Sequence, residues 1–412
     1  MNKEIMIVCH YAQEPPWNTM LRYHNWGKEL VKRGYSVSIV CASTLHNTNI
    51  DMIEKTGKEK SVCDQIKYYY IKTPAYSNNG IRRMVNMLAF CLKLFKVRKI
   101  KPFVIVSCEA YVYPFVRLYF CSVPVVTDTV DLWPQSIIEY SGYSTNNLMI
   151  RLLYGVEKYT YLRSNALIFS MEGGEDYLKE QTYSDKIDYK KVFHINMGSD
   201  IEYYDKCMRE NPANLPWRTG HYHVVYCGSV RIANNVLDIC KAALELKNRG
   251  IDDVDIHIYG NGDQLDSLKE FSKENRLDNI FFYGRIQKKD IPGVLSKADA
   301  NILTYKQVNL MKYGGSQSKL FDYLTCGRPI ICTAQFGYNL IERYSCGVVT
   351  EDQTPKSIAN AIVHLKNLNR NEIDQMCKNA RSASLAYSQD KLVDKLCEVF
   401  QFVTNKGVID NA

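Results

Sequence analysis

Short, β-branched apolar runs alternate with helical stretches along the first half of the chain. Ile5–Cys9 reads as a buried strand, Met20–Arg33 as a helix ended by Gly34, and Val37–Cys41 as the next strand. The rhythm continues through Ile66–Ile71, Phe103–Ser107, Val123–Thr127, Ala166–Ser170 and Val192–Ile195. Fully apolar strands separated by helices imply a parallel sheet covered on both faces. The rhythm breaks at residues 203–222, where Asn211-Pro212, Leu215-Pro216 and Gly220 read as a linker. A second series follows, with strands at His223–Cys227, Asp255–Tyr259, Ile280–Tyr283, Ala300–Leu303 and Pro329–Cys332. The expected fold class is α/β, with two Rossmann-like, doubly wound parallel-sheet domains at residues 1–202 and 223–385. In such folds ligands bind beyond the carboxyl ends of the strands, so those loops hold the candidate chemistry.

Composition narrows the class. At ~150 residues per domain, 412 residues fit two or three domains. A hydrophobic share of 46% and a charged share of 23% exclude long-range disorder. The longest apolar stretch, Met84 to Phe95, is interrupted by Asn86 and Lys93, well short of the ~20 apolar residues of a membrane span. The start, MNKEIMIVCH, lacks the apolar length and cleavage site of a signal peptide, so a cytoplasmic location is expected. The 14 cysteines are scattered without a CxxC pair, and Cys9, Cys41, Cys108, Cys227 and Cys332 lie in apolar runs. They read as buried thiols in a reducing compartment. The eight histidines form no HExxH, and His221 with His223 supplies too few ligands for a structural zinc.

The richest segment runs from Tyr313 to Cys332, YGGSQSKLFDYLTCGRPIIC. Gly314-Gly315 makes a turn, Ser316 or Ser318 can cap a helix through Leu320 and Leu324, and Gly327 ends it. A helix N-terminus with free N–H groups attracts anions, and Lys319 adds a full positive charge there. Asp322, one turn on, can accept hydrogen bonds from a sugar diol. The competing reading is a well-capped helix with a solvated lysine. Ser318 stands where a Walker A loop needs glycine. Three glycine turns at strand ends, Gly228-Ser229 with Arg231, Gly260 with Gly262, and Gly284-Arg285, are individually weak and together favour a nucleotide pocket.

In order along the chain stand YCGS, IYGNGDQ, NIFFYGRI, ADANIL and GGSQSKLFDYLTCGRPII, with Asp131-Leu132-Trp133-Pro134 in the first half. This series resembles the retaining GT-B glycosyltransferases of family 4, closest to the subgroup that builds bacterial capsule, O-antigen and exopolysaccharide repeat units. The resemblance implies two domains facing a cleft, residues 386–412 as a helix crossing back to the first domain, and a nucleotide-sugar donor, usually a UDP-sugar. It implies that Lys319 contacts the diphosphate and Asp322 the ribose. Gly228, Ser229, Arg231, Gly260, Ser316 and Leu320 would border the donor, with Arg285 and Ile286 near its base. Three positions depart from the pattern: Gly314 replaces a common Glu, the ribose carboxylate is Asp, and Asn234-Asn235 stands near where a lysine is usual. Transfer with retention has been proposed to proceed on one face, the leaving phosphate assisting the acceptor hydroxyl. No dedicated nucleophile, cofactor or metal is then expected.

On the first half, Asp128, Asp131 and Glu109 lie at strand ends as candidate catalytic or acceptor-orienting carboxylates; capping of loops is an equal alternative. His10, His46 with Asn47, and Trp133 are acceptor-side candidates. The expected activity is a hexosyl- or N-acetylhexosaminyl-type transfer to a polyprenyl-diphosphate-linked acceptor. A UDP-sugar epimerase of the same architecture and a noncatalytic sugar-nucleotide-binding subunit stay open.

Charge adds one feature. The formal net charge is +8, and Ile81–Lys101 carries Arg82, Arg83, Lys93, Lys96, Arg98, Lys99 and Lys101 with no acidic residue. Removing those seven leaves the remainder at +1. On a helix, Arg82, Asn86, Lys93 and Lys96 form a stripe opposite Ile81, Val85, Leu88 and Phe95. Such a helix either packs its apolar face on the core or lies on an anionic membrane surface. A peripheral place on the inner face of the cytoplasmic membrane is the expectation that follows. No zinc-finger, RNP or helix-turn-helix signature points to nucleic acid.

Overall fold

The computed structural model describes residues 3–18, 21–46, 48–77 and 80–409, with side chains through residue 405. Met20, the expected start of the first helix, and Asn47 lie outside the described residues. The chain divides into two compact units, Met1–Asn196 with Gln389–Ala412, and Met197–Ser388.

The first unit is built on β1 (Glu4–Val8), β2 (Ser36–Ala42), β3 (Lys60–Cys63), β4 (Ile66–Ile71), β5 (Val104–Ser107), β6 (Val125–Thr129), β7 (Ala166–Phe169) and β8 (Val192–His194). Their order is β3-β4-β2-β1-β5-β6-β7-β8, parallel throughout except for the β3–β4 hairpin. The order of strand addition reverses between β1 and β5, the crevice where doubly wound sheets hold ligands. Alternate residues serve opposite faces: Met6 and Val8 join Phe90, Leu94 and Val116 in one apolar cluster. The helix Gln389–Ile409 belongs to this unit, packing beside Arg22–Lys32 and burying Leu392, Leu396 and Phe400.

The second unit is a parallel sheet of β9 (Tyr222–Cys227), β10 (Val254–Tyr259), β11 (Ile280–Gly284), β12 (Ala300–Leu303), β13 (Ile330–Cys332) and β14 (Gly347–Val349), in the order β11-β10-β9-β12-β13-β14. In β9, Val224 and Tyr226 face one core while Val225 and Cys227 face the other. Each unit is an α/β sheet domain of the kind expected from the strand rhythm. All fourteen cysteines are unpaired.

Two expectations change. Residues 203–222 do not form a linker. Asp200 caps the helix Ile201–Glu210 through the Tyr203 N–H, Tyr204 and Cys207 are buried, and Asp205 receives Arg381 at 2.8 and 2.6 Å. Pro212 and Pro216 act only after this helix, where Leu215 and Trp217 still pack on the core. The helix Ile81–Lys93 also sits differently. Asn86, Phe90 and Cys91 are its buried residues, while Ile81, Val85, Leu88 and Phe95 of the expected packing face lie in solvent.

Candidate functional site

The second unit gathers one cluster at the carboxyl end of its sheet. The helix Ser318–Cys326 is pinned there by Tyr323, whose hydroxyl donates to the Cys227 carbonyl at 3.2 Å and accepts from the Cys227 N–H at 3.1 Å. Lys319 lies one turn earlier on the same helical face, so this anchor brings it over the β9 turn. A Cβ built on Gly228 would stand 2.8 Å from Lys319 Cε, so only glycine admits the lysine this closely. Gly228 N–H binds the Tyr259 carbonyl at 2.9 Å, and Gly260 N–H binds the Gly284 carbonyl at 2.8 Å. A Cβ on Gly260 would overlap the Gly228 carbonyl. The three glycine turns are therefore one stacked rim.

Lys319 Nζ donates to Asn234 Oδ1 at 2.9 Å and to Tyr226 Oη at 3.1 Å, and lies over the Tyr305 ring at 4.5 Å. Asn234 Nδ2 in turn donates to Ser229 Oγ at 2.8 Å, and Tyr226 Oη donates to the Ser229 carbonyl at 2.6 Å. Asn234, at the place where a lysine is usual, thus serves as an anchor for Lys319. Burial pushes the Lys319 amine down to about 8. Burial raises the Asp322 carboxyl above the usual range, against the opposing pull of a Tyr204 hydrogen bond and the charges of Lys288 and Lys319. Lys288 itself is lowered by burial.

Gln317, rather than Ser316 or Ser318, occupies the cap position, and its side chain makes no cap bond. The N-terminus of such a helix attracts anions. Gly314, at φ 93, supplies the left-handed turn before it. Leu320 points into the core rather than the rim. Ser316 and Ile286 are half-buried, and Arg231 and Arg285 are exposed beside their turns. Tyr204, Lys288 and Tyr305 were not singled out from sequence, since the fold alone brings them to Lys319 and Asp322; Tyr226 stood in the YCGS motif and Asn234 beside it, with no role assigned to either.

The first unit places its candidates at the ends of β1, β5 and β6. Asp128 is not a free base. It is 1% exposed, and both its oxygens are held by Arg22 at 2.9 and 3.0 Å, with Tyr23 adding a third bond at 2.9 Å. Arg22 also donates to the Ile195 and Asn196 carbonyls, tying a helix to two strand ends. His10 is not presented to a ligand either. Its Nδ1 pairs with Tyr111 Oη at 2.8 Å and its Nε2 with Asn86 Oδ1 at 2.6 Å. Burial lowers its pKa to about 3, keeping it neutral. Glu109 accepts from Cys9 Sγ at 3.3 Å and from the His10 N–H at 3.4 Å, and burial raises it to about 8. At neutral pH it is mostly protonated, which suits a hydrogen-bond donor better than a base. Tyr11 stacks on His10, with His46 edge-on to it at 4.9 Å, and Trp133 meets Tyr111 at 5.8 Å. Asp131 is exposed beside this aromatic group.

Among the described residues two groups of metal-type side chains occur, His24, Cys63 and Asp64 in the first unit and His223, Asp255 and His257 in the second. In the second, Arg218 already grips both oxygens of Asp255.

Comparison with known proteins supplies the class. Residues 221–367, which hold the Lys319 rim apart from Tyr204, match the family model described as Glycosyl transferases group 1. That match likens residues 221–367, within the second unit, to a group 1 glycosyltransferase domain. An uncharacterized glycosyltransferase of Methanocaldococcus jannaschii is 25% identical over 132 residues, a stretch covering 32% of this chain and 32% of that protein. Sucrose-phosphate synthase from Thermosynechococcus elongatus superposes with a TM-score of 0.75 at 13% identity, covering 97% of this chain and 98% of that one. Anabaena HepE in complex with UDP and glucose gives 0.67 at 13% identity, over 97% and 99%. WaaG, a glycosyltransferase involved in lipopolysaccharide biosynthesis, gives 0.68 at 11% identity, over 96% and 99%. These structural likenesses establish the fold.

Proposed function

We propose that the protein is a retaining glycosyltransferase of family 4 that moves a sugar from a UDP-sugar to a polyprenyl-diphosphate-linked acceptor in bacterial surface polysaccharide assembly. The observation that carries this is the Lys319 amine seated on Gly228 in the first turn of the helix Ser318–Cys326. Backbone N–H groups, a half-buried ammonium and a nearby carboxyl are what a diphosphate followed by a ribose requires. The UDP-bound HepE neighbour and the ordered motifs support the donor class. The printed role of WaaG, and the likeness to capsule and O-antigen enzymes, support the acceptor class.

Cleavage of the anomeric C–O bond leaves negative charge on the departing diphosphate. Lys319 and the helix N-terminus are positioned before that charge develops, the arrangement that contributes most to such steps. The departing phosphate then takes the acceptor proton, and no resident cofactor or metal is needed. Asp322 orients the ribose, while Glu109, Asp131, His46 and Trp133 shape the acceptor side. The enzyme works peripherally at the inner face of the cytoplasmic membrane, where its acceptor resides.

The test is incubation with a panel of UDP-sugars and polyprenyl-diphosphate acceptors, reading the anomeric configuration of the product by NMR. A product that keeps the donor's configuration supports the reading. Inversion at C2 of the free UDP-sugar would assign an epimerase, and UDP-sugar binding without turnover a binding subunit.

A further inference from the structure

The exposed side of the basic helix is more ordered than its sequence suggests. Ile81, Met84, Val85, Leu88, Leu92 and Phe95 are all exposed, from 46% for Phe95 to 80% for Ile81. At 100° per residue these six fall within a single stripe roughly 100° wide and ~20 Å long. It lies opposite Phe90 and Leu94, which are buried against the sheet. The cations Arg82 and Lys96 border the stripe and are exposed. Leu118, on the neighbouring helix Tyr113–Tyr119, is also exposed, at 68%. Where the stripe ends, a cavity of about 430 Å³ opens, lined by Lys60, Lys67, Lys96, Lys99 and Lys101 together with two glutamates.

We propose that Ile81–Lys101 lies flat on an anionic bilayer, its apolar stripe in the acyl boundary and the five-lysine cavity taking lipid phosphates. This deepens the membrane side of the function proposed above and does not depend on the donor chemistry. A continuous apolar stripe in water is unfavourable unless something covers it. The cover must be apolar at its centre and negative at its rim, which an anionic lipid surface is. A second copy of the chain fits poorly. A two-fold contact sets the same patch against itself, and a segment with seven cations and no acid would face its own charge. The geometry also links docking to the acceptor side. The same helix sends Asn86 to His10 at 2.6 Å and Arg83 to the Tyr11 hydroxyl at 3.2 Å, so its membrane position sets the aromatic group beside Glu109.

Sedimentation of the full-length protein with vesicles tests this, using equimolar phosphatidylglycerol and phosphatidylcholine against phosphatidylcholine alone. The wild type is expected to sediment with the anionic vesicles and to be released as salt rises. Arg82→Ala with Lys96→Ala should weaken binding about fivefold per cation removed. Leu88→Asp with Leu92→Asp should abolish it, with thermal unfolding and UDP binding unchanged, because both side chains are solvent-exposed. Failure of the wild type to sediment, or equal sedimentation of the Leu88/Leu92 variant, would overturn the proposal. So would a wild-type dimer that the same variant converts to monomer, which would give the stripe to a second copy. UDP binding read in parallel separates any of these failures from a failure of the donor-site reading.

Discussion

Lys319 is held away from solvent by the rim it serves, and its chemistry follows from that position. With its amine lowered to about 8, it is charged at neutral pH and loses that charge as pH rises through 8. Donor kcat/KM is therefore expected to be full below that value and to fall above it. In Lys319→Arg the fall should disappear, because guanidinium stays charged. A flat wild-type profile from pH 7 to 9 would refute the assignment. Gly228→Ala should behave like Lys319→Ala, since the added methyl occupies the space of the lysine stem. The acidic partner of a different residue pair yields a stability prediction. Arg22→Met leaves Asp128 buried with its charge unpaired, which costs about 3–5 kcal/mol. Denaturant unfolding measures this, and a loss under 1 kcal/mol would mean Asp128 has other means of compensation.

At the scale of elements, the helix Gln389–Ile409 completes the core of the first unit. Deleting it uncovers the surfaces that bury Leu392, Leu396 and Phe400. A chain ending at Ser388 should be insoluble or should unfold at a markedly lower temperature, as scanning calorimetry would show; unchanged unfolding would contradict the packing. Most elements were legible in sequence because parallel strands are apolar on both faces and need no fine reading. β3 was missed for the opposite reason. It is an edge strand with alternating exposed positions, and its turn uses Asp64 and Gln65 at positive φ without a glycine to mark it. The helix Ile201–Glu210 was hidden by the prolines that follow it. The rim around Lys319 was readable from glycines and one lysine, but Tyr204, Lys288 and Tyr305 reach it through tertiary folding alone. The amphipathic pattern of Ile81–Lys101 set a basic stripe against an apolar one, but the core takes Phe90, Cys91, Leu94 and Val97, which belong to neither. Of the basic stripe only Asn86 turns inward, to meet His10.

For the molecule as a whole, the donor chemistry sits in the second unit, and the aromatic group and the basic helix in the first. The cations of the rim are Lys319 and Lys288, so turnover is expected to persist in EDTA and to be unmoved by added magnesium. Activity lost to chelation and restored by a divalent ion would show that a metal takes the charge instead. The central claim is that the Lys319–Gly228 rim binds the diphosphate of a uridine nucleotide. Calorimetric titration of UDP into the wild type, Lys319→Ala and Gly228→Ala tests it most directly. A charged hydrogen bond of this kind predicts wild-type binding that both variants weaken by about 10- to 100-fold, with folding intact. Equal affinity in all three proteins, or no UDP binding by the wild type, would contradict it.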